Sequence, residues 1–402
     1  MDYQINPYNT QPDIVVLENL IQDVRTDTRG NPCAEKDKIP PELIEKHSDQ
    51  EKGEFDHDKQ SIALLKAYNN PERIEFAPTV FTSWDDKDLP GWVNSYIVKP
   101  YTRLATRIVR HPTDVVFLTH ILQYMTINLG SAVCLYLNFS YIHGLLHTVY
   151  TVWCAGSFTL VMHQHIHGNG VLSKDWAWLD WSFPYVLEPL MGHTWDSYYY
   201  HHTKHHHVES NGPDDLSSTI RYQRDDVLHF LHYYLRFLLF CWAELPLYFI
   251  KKGKTNLALR AFCSEMASYV FLYCMTKLNP RASTFVLLLP FALLRFALMS
   301  NRFCFNDGYH TAHHLNPRRH WREHPVHFLQ SKAAYRNGRA LVFHDIDYLM
   351  MTVRLLRKDY MHLAGRLVPM GDQIGMSQVE IAEMLRRKTR RFTEEEIQSK
   401  FR

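Results

Sequence analysis

Histidine is where this chain departs most from an ordinary composition. It supplies 25 of the 402 residues, with three dense stretches: HQHIH at 163–167, HHTKHHH at 201–207 and HTAHH at 310–314. Imidazole is the commonest protein metal ligand. Residues four apart share one face of a helix, so His163 and His167 can hold one ion while His165 points elsewhere. His310, His313 and His314 repeat the same one-face spacing. Five imidazoles within 201–207 would repel one another if charged and offer little to a core, so coordination is their most economical explanation. A zinc-protease reading of the first stretch needs a Glu directly after His163, and the residue there is Gln164. A lone HxxxH is common by chance; three dense stretches, each just outside an apolar segment, are not.

The three stretches together offer about eight nitrogen donors, more than one four-coordinate zinc uses and suited to two ions with open positions. Soluble di-iron proteins use carboxylates with Glu-x-x-His motifs, and that spacing occurs here only at Glu54 to His57, in a polar region. An all-imidazole redox site beside a membrane therefore points to non-haem iron activating oxygen. Such chemistry is needed for an unactivated C–H bond, which offers ordinary side chains no acidic proton and no electrophile.

The elements that must position these residues are apolar helices. Residues 1–100 are polar and punctuated by Pro, Asn and Asp, and read as a cytosolic N-terminal extension. Val115 to Phe139 and Tyr141 to Met162 are each long enough to cross a bilayer core, which takes about 20 residues. Almost nothing separates them, so they read as a helical hairpin. Val227 to Ile250, Leu257 to Thr276 and Ala282 to Ser300 are further candidates, while Trp176 to Gly192, rich in Trp and interrupted by Pro184 and Pro189, suits the membrane interface.

Lys99, Arg103, Arg107 and Arg110 before the first span, and Arg318, Arg319 and Arg322 after the last, place both ends in the cytosol. If the second and third histidine stretches share one site, an even number of spans lies between them. Val227 to Ile250 carries His229, His232, Arg236 and Glu244, which suit an in-plane helix better than mid-membrane, leaving four spans. The expected fold class is thus all-α: a polytopic membrane protein with four transmembrane helices, interfacial helices and a cytosolic cap. The expected organisation is a 1–100 extension, a 101–330 catalytic domain and a 331–402 helical tail, whose charged end RRKTRRFTEEEIQSKFR reads as a solvated helix.

A formal net charge of +2 gives no strong field for a polyanion, so nucleic acid is not an expected partner. The seven cysteines are isolated, without a CxxC pair or secreted-style spacing, which speaks against a disulfide framework. The N-terminus lacks the basic start and apolar stretch of a secretory signal.

The boxes HQHIH, HHTKHHH and HTAHH resemble those of the membrane fatty acid desaturase and hydroxylase superfamily, over roughly residues 110 to 330. The resemblance implies a four-span fold with two box-bound iron ions, O2 as co-substrate, and electrons from a separate donor such as cytochrome b5 or ferredoxin. His163 and His167 match the first box; His310, His313 and His314 match the third. In the second, an HxxHH form selects His202, His205 and His206, and an HxxxHH form selects either His201, His205 and His206 or His202, His206 and His207. HHHVESNGPDD and HTAHHLNPRRHW also resemble boxes of bacterial alkane monooxygenases, which favours the last register. The metal ligands so implied are His163, His167, His202, His205, His206, His207, His310, His313 and His314.

The family places another His ligand between boxes two and three, and this chain has none from 233 to 309. Candidates for that place are His193, Asn306 and Asp307. His120 is a site residue or a polar group satisfied between helices. Asp214 and Asp215 could orient ligand imidazoles or shape a turn. His320, His324 and His327 read as solvated. His111 and Pro112 are followed by Thr113 and Asp114, so no HPGG haem box appears and no fused cytochrome b5 domain is expected.

The expected activity is oxidation of a fatty acyl or related lipid chain held in an apolar tunnel walled by aromatics such as Trp153, Trp195 and Tyr199. Loss of two hydrogens gives an alkene and return of a hydroxyl gives an alcohol; the third box and the extensions favour a desaturase over a hydroxylase or oxidative decarboxylase. The expected location is an integral, multi-pass membrane setting with the boxes facing the cytosol, the endoplasmic reticulum if the source is eukaryotic. The rival from another class is a histidine-rich metal transporter, whose sites ordinarily lie near mid-membrane on broken helices. A family member without activity is the third reading.

Overall fold

The computed structural model describes residues 5–6, 9–26, 56–82, 89–293 and 304–401. It is predominantly helical. The two-stranded antiparallel pairing of Val342–Phe343 with Leu367–Val368 is the only sheet among the described residues. The chain divides into two compact units. One comprises the described residues within 1–77 and 306–390; the other comprises those within 78–293, 304–305 and 391–401.

In the unit that carries the third histidine box, the polar N-terminal region supplies part of the core. The helix Gln11–Thr26 turns Val16 and Leu20, four apart, onto Leu65, Phe328, Leu329, Val368 and Met370. Residues 56–69 form a second helix, which brings in Leu65. Between these helices lies a buried cation: Lys332 Nζ reaches Asp23 Oδ2 at 2.8 Å, the Asp58 carboxylate, and Asn19 Oδ1 at 3.1 Å. Three oxygen partners are what a buried ammonium with three donors requires. A smaller core of Tyr360, Leu363, Ala364, Ile381 and Leu385 seats the helix Gln378–Lys388, whose start is a capping box of Ser377 and Glu380.

In the other unit, residues 115–137 run as one helix whose middle, Tyr124–Leu129, widens to π geometry. After a short extended break the chain returns as Tyr141–Gly168, 28 residues long. The hairpin expected from the sequence is therefore present. Polar side chains pair across it, Gln123 with Tyr150 at 2.6 Å and Asn128 with Thr151 at 3.0 Å. Gly144 lets Phe285 come close, since a Cβ there would lie 2.8 Å from Phe285 Cγ. The helices Val227–Lys251 and Thr255–Leu278 form a second hairpin, sealed by Leu245, Phe249, Ala258 and Ala261.

Among the described residues two helices are long and apolar enough to cross a membrane, Tyr141–Gly168 and Val227–Lys251. The second is the one the sequence places in the membrane plane; Leu228, Leu235, Leu239, Phe240 and Leu247 leave it largely exposed. Thr255–Leu278 has the length of a span but carries Arg260 and Glu265, and Ala282 to Ser300 runs partly outside the described residues. The segment 176–192, expected at a membrane interface, folds as short 3-10 and π-helical pieces with Trp176, Trp178 and Trp181 exposed. Trp153 does not line an interior tunnel. It is 65% exposed, on the helix stripe with Ile142, Leu145, Leu146 and Val149 and opposite the buried Thr151, Cys154 and Phe158.

Candidate metal centre

The Tyr141–Gly168 helix ends at the first histidine box and places His163 and His167 one turn apart, with ring centroids 4.8 Å from each other. His165, between them, leaves this face. It stacks on Phe183 at 4.7 Å and its Nε2 lies 3.1 Å from the Asp180 carbonyl. The chain then reverses through Asn169 and Gly170, both at positive φ. Asp180 accepts from the backbone N–H of Val171, and a Cβ on Gly170 would meet the Asp180 carboxylate at 2.4 Å, so glycine is required there.

The second box lies on a π-helical segment, Tyr199–His206, capped by the His207 N–H bonding back five residues to the His202 carbonyl. An α-helix would turn residues five apart well away from each other; the wider π turn stacks them. His202 and His207 accordingly face each other with centroids 4.6 Å apart. His202 Nε2 lies 2.9 Å from His163 Nε2 and 3.0 Å from His207 Nε2. One nitrogen from each of His163, His167, His202 and His207 falls within 4.8 Å of the others. Donors at about 2.1 Å from a common ion lie roughly 3–4 Å apart, so the set has the dimensions of a coordination shell. The protonation pattern agrees. His202 Nε2 holds one proton or one lone pair and can satisfy only one neighbouring Nε2 by hydrogen bonding, whereas a cation satisfies every lone pair turned toward it. Burial, and then the facing imidazoles of His163, His167 and His207, hold the His202 ring well below the usual histidine range. It is therefore neutral and able to ligate at physiological pH.

His206 is oriented differently. Its Nδ1 donates to Asp215 Oδ2 at 2.7 Å, which fixes the tautomer and leaves Nε2 as a lone-pair donor. A carboxylate behind an imidazole is the usual arrangement at a metal ligand. Burial works against charge on Asp215, but hydrogen bonds from its histidine and serine neighbours outweigh it and hold the carboxyl well below the usual range. Of the two acids the sequence offers, Asp215 takes this role; Asp214 instead pairs with Lys252 at 2.9 Å.

His205 does not join His163, His167, His202 and His207. Its Nε2 accepts the Leu216 N–H at 2.9 Å and its ring packs on Tyr248 with centroids 4.2 Å apart. The reason is the same π geometry, which turns 202 and 207 to one side and 205 to another. The geometry thus matches the register His202, His206, His207. His201, His205 and Asp215 also cluster. Both Asp215 oxygens are already engaged, Oδ1 by Ser217 N and Oγ at 2.8 and 2.7 Å, and Oδ2 by His206 and by Asn211 N at 3.1 Å. Asp215 is thus committed to hydrogen bonds, while His201 Nε2 and His205 Nδ1 beside it are buried without a hydrogen-bond partner among the described residues.

The third box forms the helix His310–Leu315 in the other unit. His310 Nε2 and His314 Nε2 lie 3.0 Å apart, and Asp307 Oδ1 takes the His310 Nδ1 proton at 3.1 Å. Burial lowers the His310 pKa, but the hydrogen bond and charge of Asp307 outweigh it and raise it. Asp307 is thus an orienting carboxylate like Asp215. His313 is buried, its ring 5.6 Å from that of His310.

The other candidates occupy supporting positions. His193 Nε2 lies 3.4 Å from Thr159 Oγ1, its ring against Phe158. Asn306 adopts a left-handed conformation and donates from Nδ2 to the Trp321 carbonyl at 3.2 Å. His120 has Tyr124 OH at 2.8 Å and Thr82 Oγ1 at 3.3 Å, the satisfied polar group of the two readings. His324 differs from its solvated expectation. It is 1% exposed, with its ring 6.0 Å from His313, because the helix His324–Gln330 turns it inward with Val326, Phe328 and Leu329. Sequence reasoning also missed Glu265, whose only signal is its being one of two charged residues in 257–276.

Comparison with family models, with curated proteins and with solved structures finds no match.

Proposed function

We propose that the chain is a di-iron, oxygen-dependent membrane oxidoreductase acting on a fatty acyl or related lipid chain, and that it works as a desaturase. The observation that carries this reading is the convergence of His163, His167, His202 and His207 from two separate elements onto one point. The third box, with His310 and His314 turned toward each other and His310 held by Asp307, supplies a second imidazole set. On the strength of the box resemblance, both sets are taken as ligands of one iron pair, with His206 among them. Counting His313, eight imidazoles then serve the pair, more than a single structural zinc uses.

Bound iron, with O2, supplies an oxidant able to take hydrogen from an unactivated methylene. The chain's own groups do the rest. Asp215 and Asp307 hold imidazole tautomers so that lone pairs face the ions, and burial keeps His202 neutral. The two long apolar helices, and the tryptophans exposed along 176–181, suit a lipid setting in which an acyl substrate is delivered from the bilayer. In this reading the protein is multi-pass with its boxes at the cytosolic face. Its electrons come from a separate carrier such as cytochrome b5 or ferredoxin.

The test is metal content together with lipid conversion. Purified protein should carry about two irons per chain, and cells expressing it should gain unsaturated acyl species in an oxygen-dependent way. Hydroxylated products instead of alkenes would assign the same site to a hydroxylase. Exchangeable zinc without turnover would favour a transporter and sink the enzyme reading.

A further inference from the structure

The helix Thr255–Leu278 is apolar along most of its length, yet Glu265 lies buried within it. An ionisable side chain in such a helix is costly and is retained with a partner and a task. Its partners are specific. Glu265 Oε2 accepts the Thr194 hydroxyl at 2.7 Å, and Oε1 accepts the Tyr269 hydroxyl at 2.8 Å. One residue on, the Trp195 N–H donates to Ser268 Oγ at 2.9 Å, while Ser264 Oγ donates to the Trp195 carbonyl. Ser264, Glu265 and Ser268 thus grip two consecutive residues of a loop through backbone and side chain alike.

That loop leads directly into the second histidine box. Asp196, at positive φ, accepts the Tyr200 N–H through its carbonyl at 3.0 Å, and its own N–H donates to Glu188 Oε2 at 3.2 Å. The grip on Thr194 and Trp195 is therefore passed without a free hinge to the π-helical segment that aims His202 and His207. We infer that Glu265 is a positioning residue for the histidine centre: it latches the 194–195 loop and so sets where the second box meets the first. The inference rests on the metal-centre reading above. It adds to that reading a buried acid outside every histidine box.

Cobalt(II) provides the test, since its visible absorption reports ligand geometry independently of turnover. Detergent-solubilised wild-type protein, Glu265→Ala, Glu265→Gln and Thr194→Val would be titrated with Co2+ below their melting temperatures, and their melting curves recorded. Loss of the latch should weaken Co2+ binding in Glu265→Ala by about 10-fold, the lower end of what outer-shell changes cost, and shift its absorption band. Glu265→Gln, whose amide oxygen still accepts from Thr194, should recover most of both. Thr194→Val should reproduce the Glu265→Ala result, and carries the test should that variant not fold. A variant that melts lower yet binds Co2+ with wild-type affinity and spectrum would overturn the inference, leaving Glu265 a structural group only. Wild-type protein that takes up no Co2+ would overturn the metal-centre reading, and the latch with it.

Discussion

His206 Nδ1 and Asp215 Oδ2 are 2.7 Å apart, and this pair decides which nitrogen of a box-two imidazole can meet a metal. With Nδ1 committed as donor, Nε2 keeps its lone pair. Asp215→Asn keeps the shape but removes the charge, and its amide can turn NH2 toward His206 and flip the tautomer. Metal affinity should fall by about 10- to 100-fold, the range for the partner behind a ligand imidazole. Equilibrium titration of the apo protein with Fe2+ or Co2+ measures it; unchanged affinity would remove Asp215 from the centre.

His205 and His207 are two residues apart and should behave oppositely. His207→Ala removes a nitrogen 3.0 Å from His202 Nε2 and should lower metal stoichiometry and abolish turnover. His205→Ala instead strands the half-buried Leu216 N–H, which costs at most about 1–3 kcal/mol. It should melt earlier but keep its full metal complement. Metal analysis alongside a melting curve distinguishes them, and a metal loss in His205→Ala equal to that in His207→Ala would contradict the register read from the π turn.

The contrast also shows how far the sequence reaches. Spacing exposed His163 and His167, because four apart is one face of any α-helix and needs no tertiary knowledge. It left His202 with His207 as one of several registers, because five apart becomes one face only where the helix widens, and nothing local in YYHHTKHH announces a π turn. Likewise the hairpin at 115–168 was legible from apolar length. The role of Gln11–Thr26 was not, because its apolar residues are interrupted by acids whose partners, such as Lys332 for Asp23, lie some three hundred positions away.

Lys332 makes that N-terminal docking measurable. Removing a buried cation leaves Asp23 and Asp58 facing each other without compensation, and breaking such a pair costs about 3–5 kcal/mol. Lys332→Ala should therefore lower the melting temperature sharply and render the N-terminal helices sensitive to limited proteolysis. Lys332→Arg, with the charge kept but a larger head in a tight site, should fall between. A Lys332→Ala protein as protease-resistant as the wild type would mean that the helices dock without the ion network.

His324 gives the fold an acid sensitivity of defined sign. Burial pulls its pKa down to about 4 from an ordinary value near 6.5. Between those values the unfolded chain binds a proton that the folded chain does not, so stability is fully present at neutral pH and is lost as pH falls from about 6.5 toward 4. One such group contributes a slope of about 1.4 kcal/mol per pH unit within that window and nothing above it. His201, pulled down to about 3 by desolvation and then by His205 and His206, acts in the same direction. Replacing His324 with Phe, which cannot be protonated, should flatten the decline of the apo protein's melting temperature between pH 6.5 and 4.5 while leaving the neutral-pH value within a few degrees. An equal decline in His324→Phe and wild type would show that the His324 ring takes up its proton without unfolding, by swinging out to water.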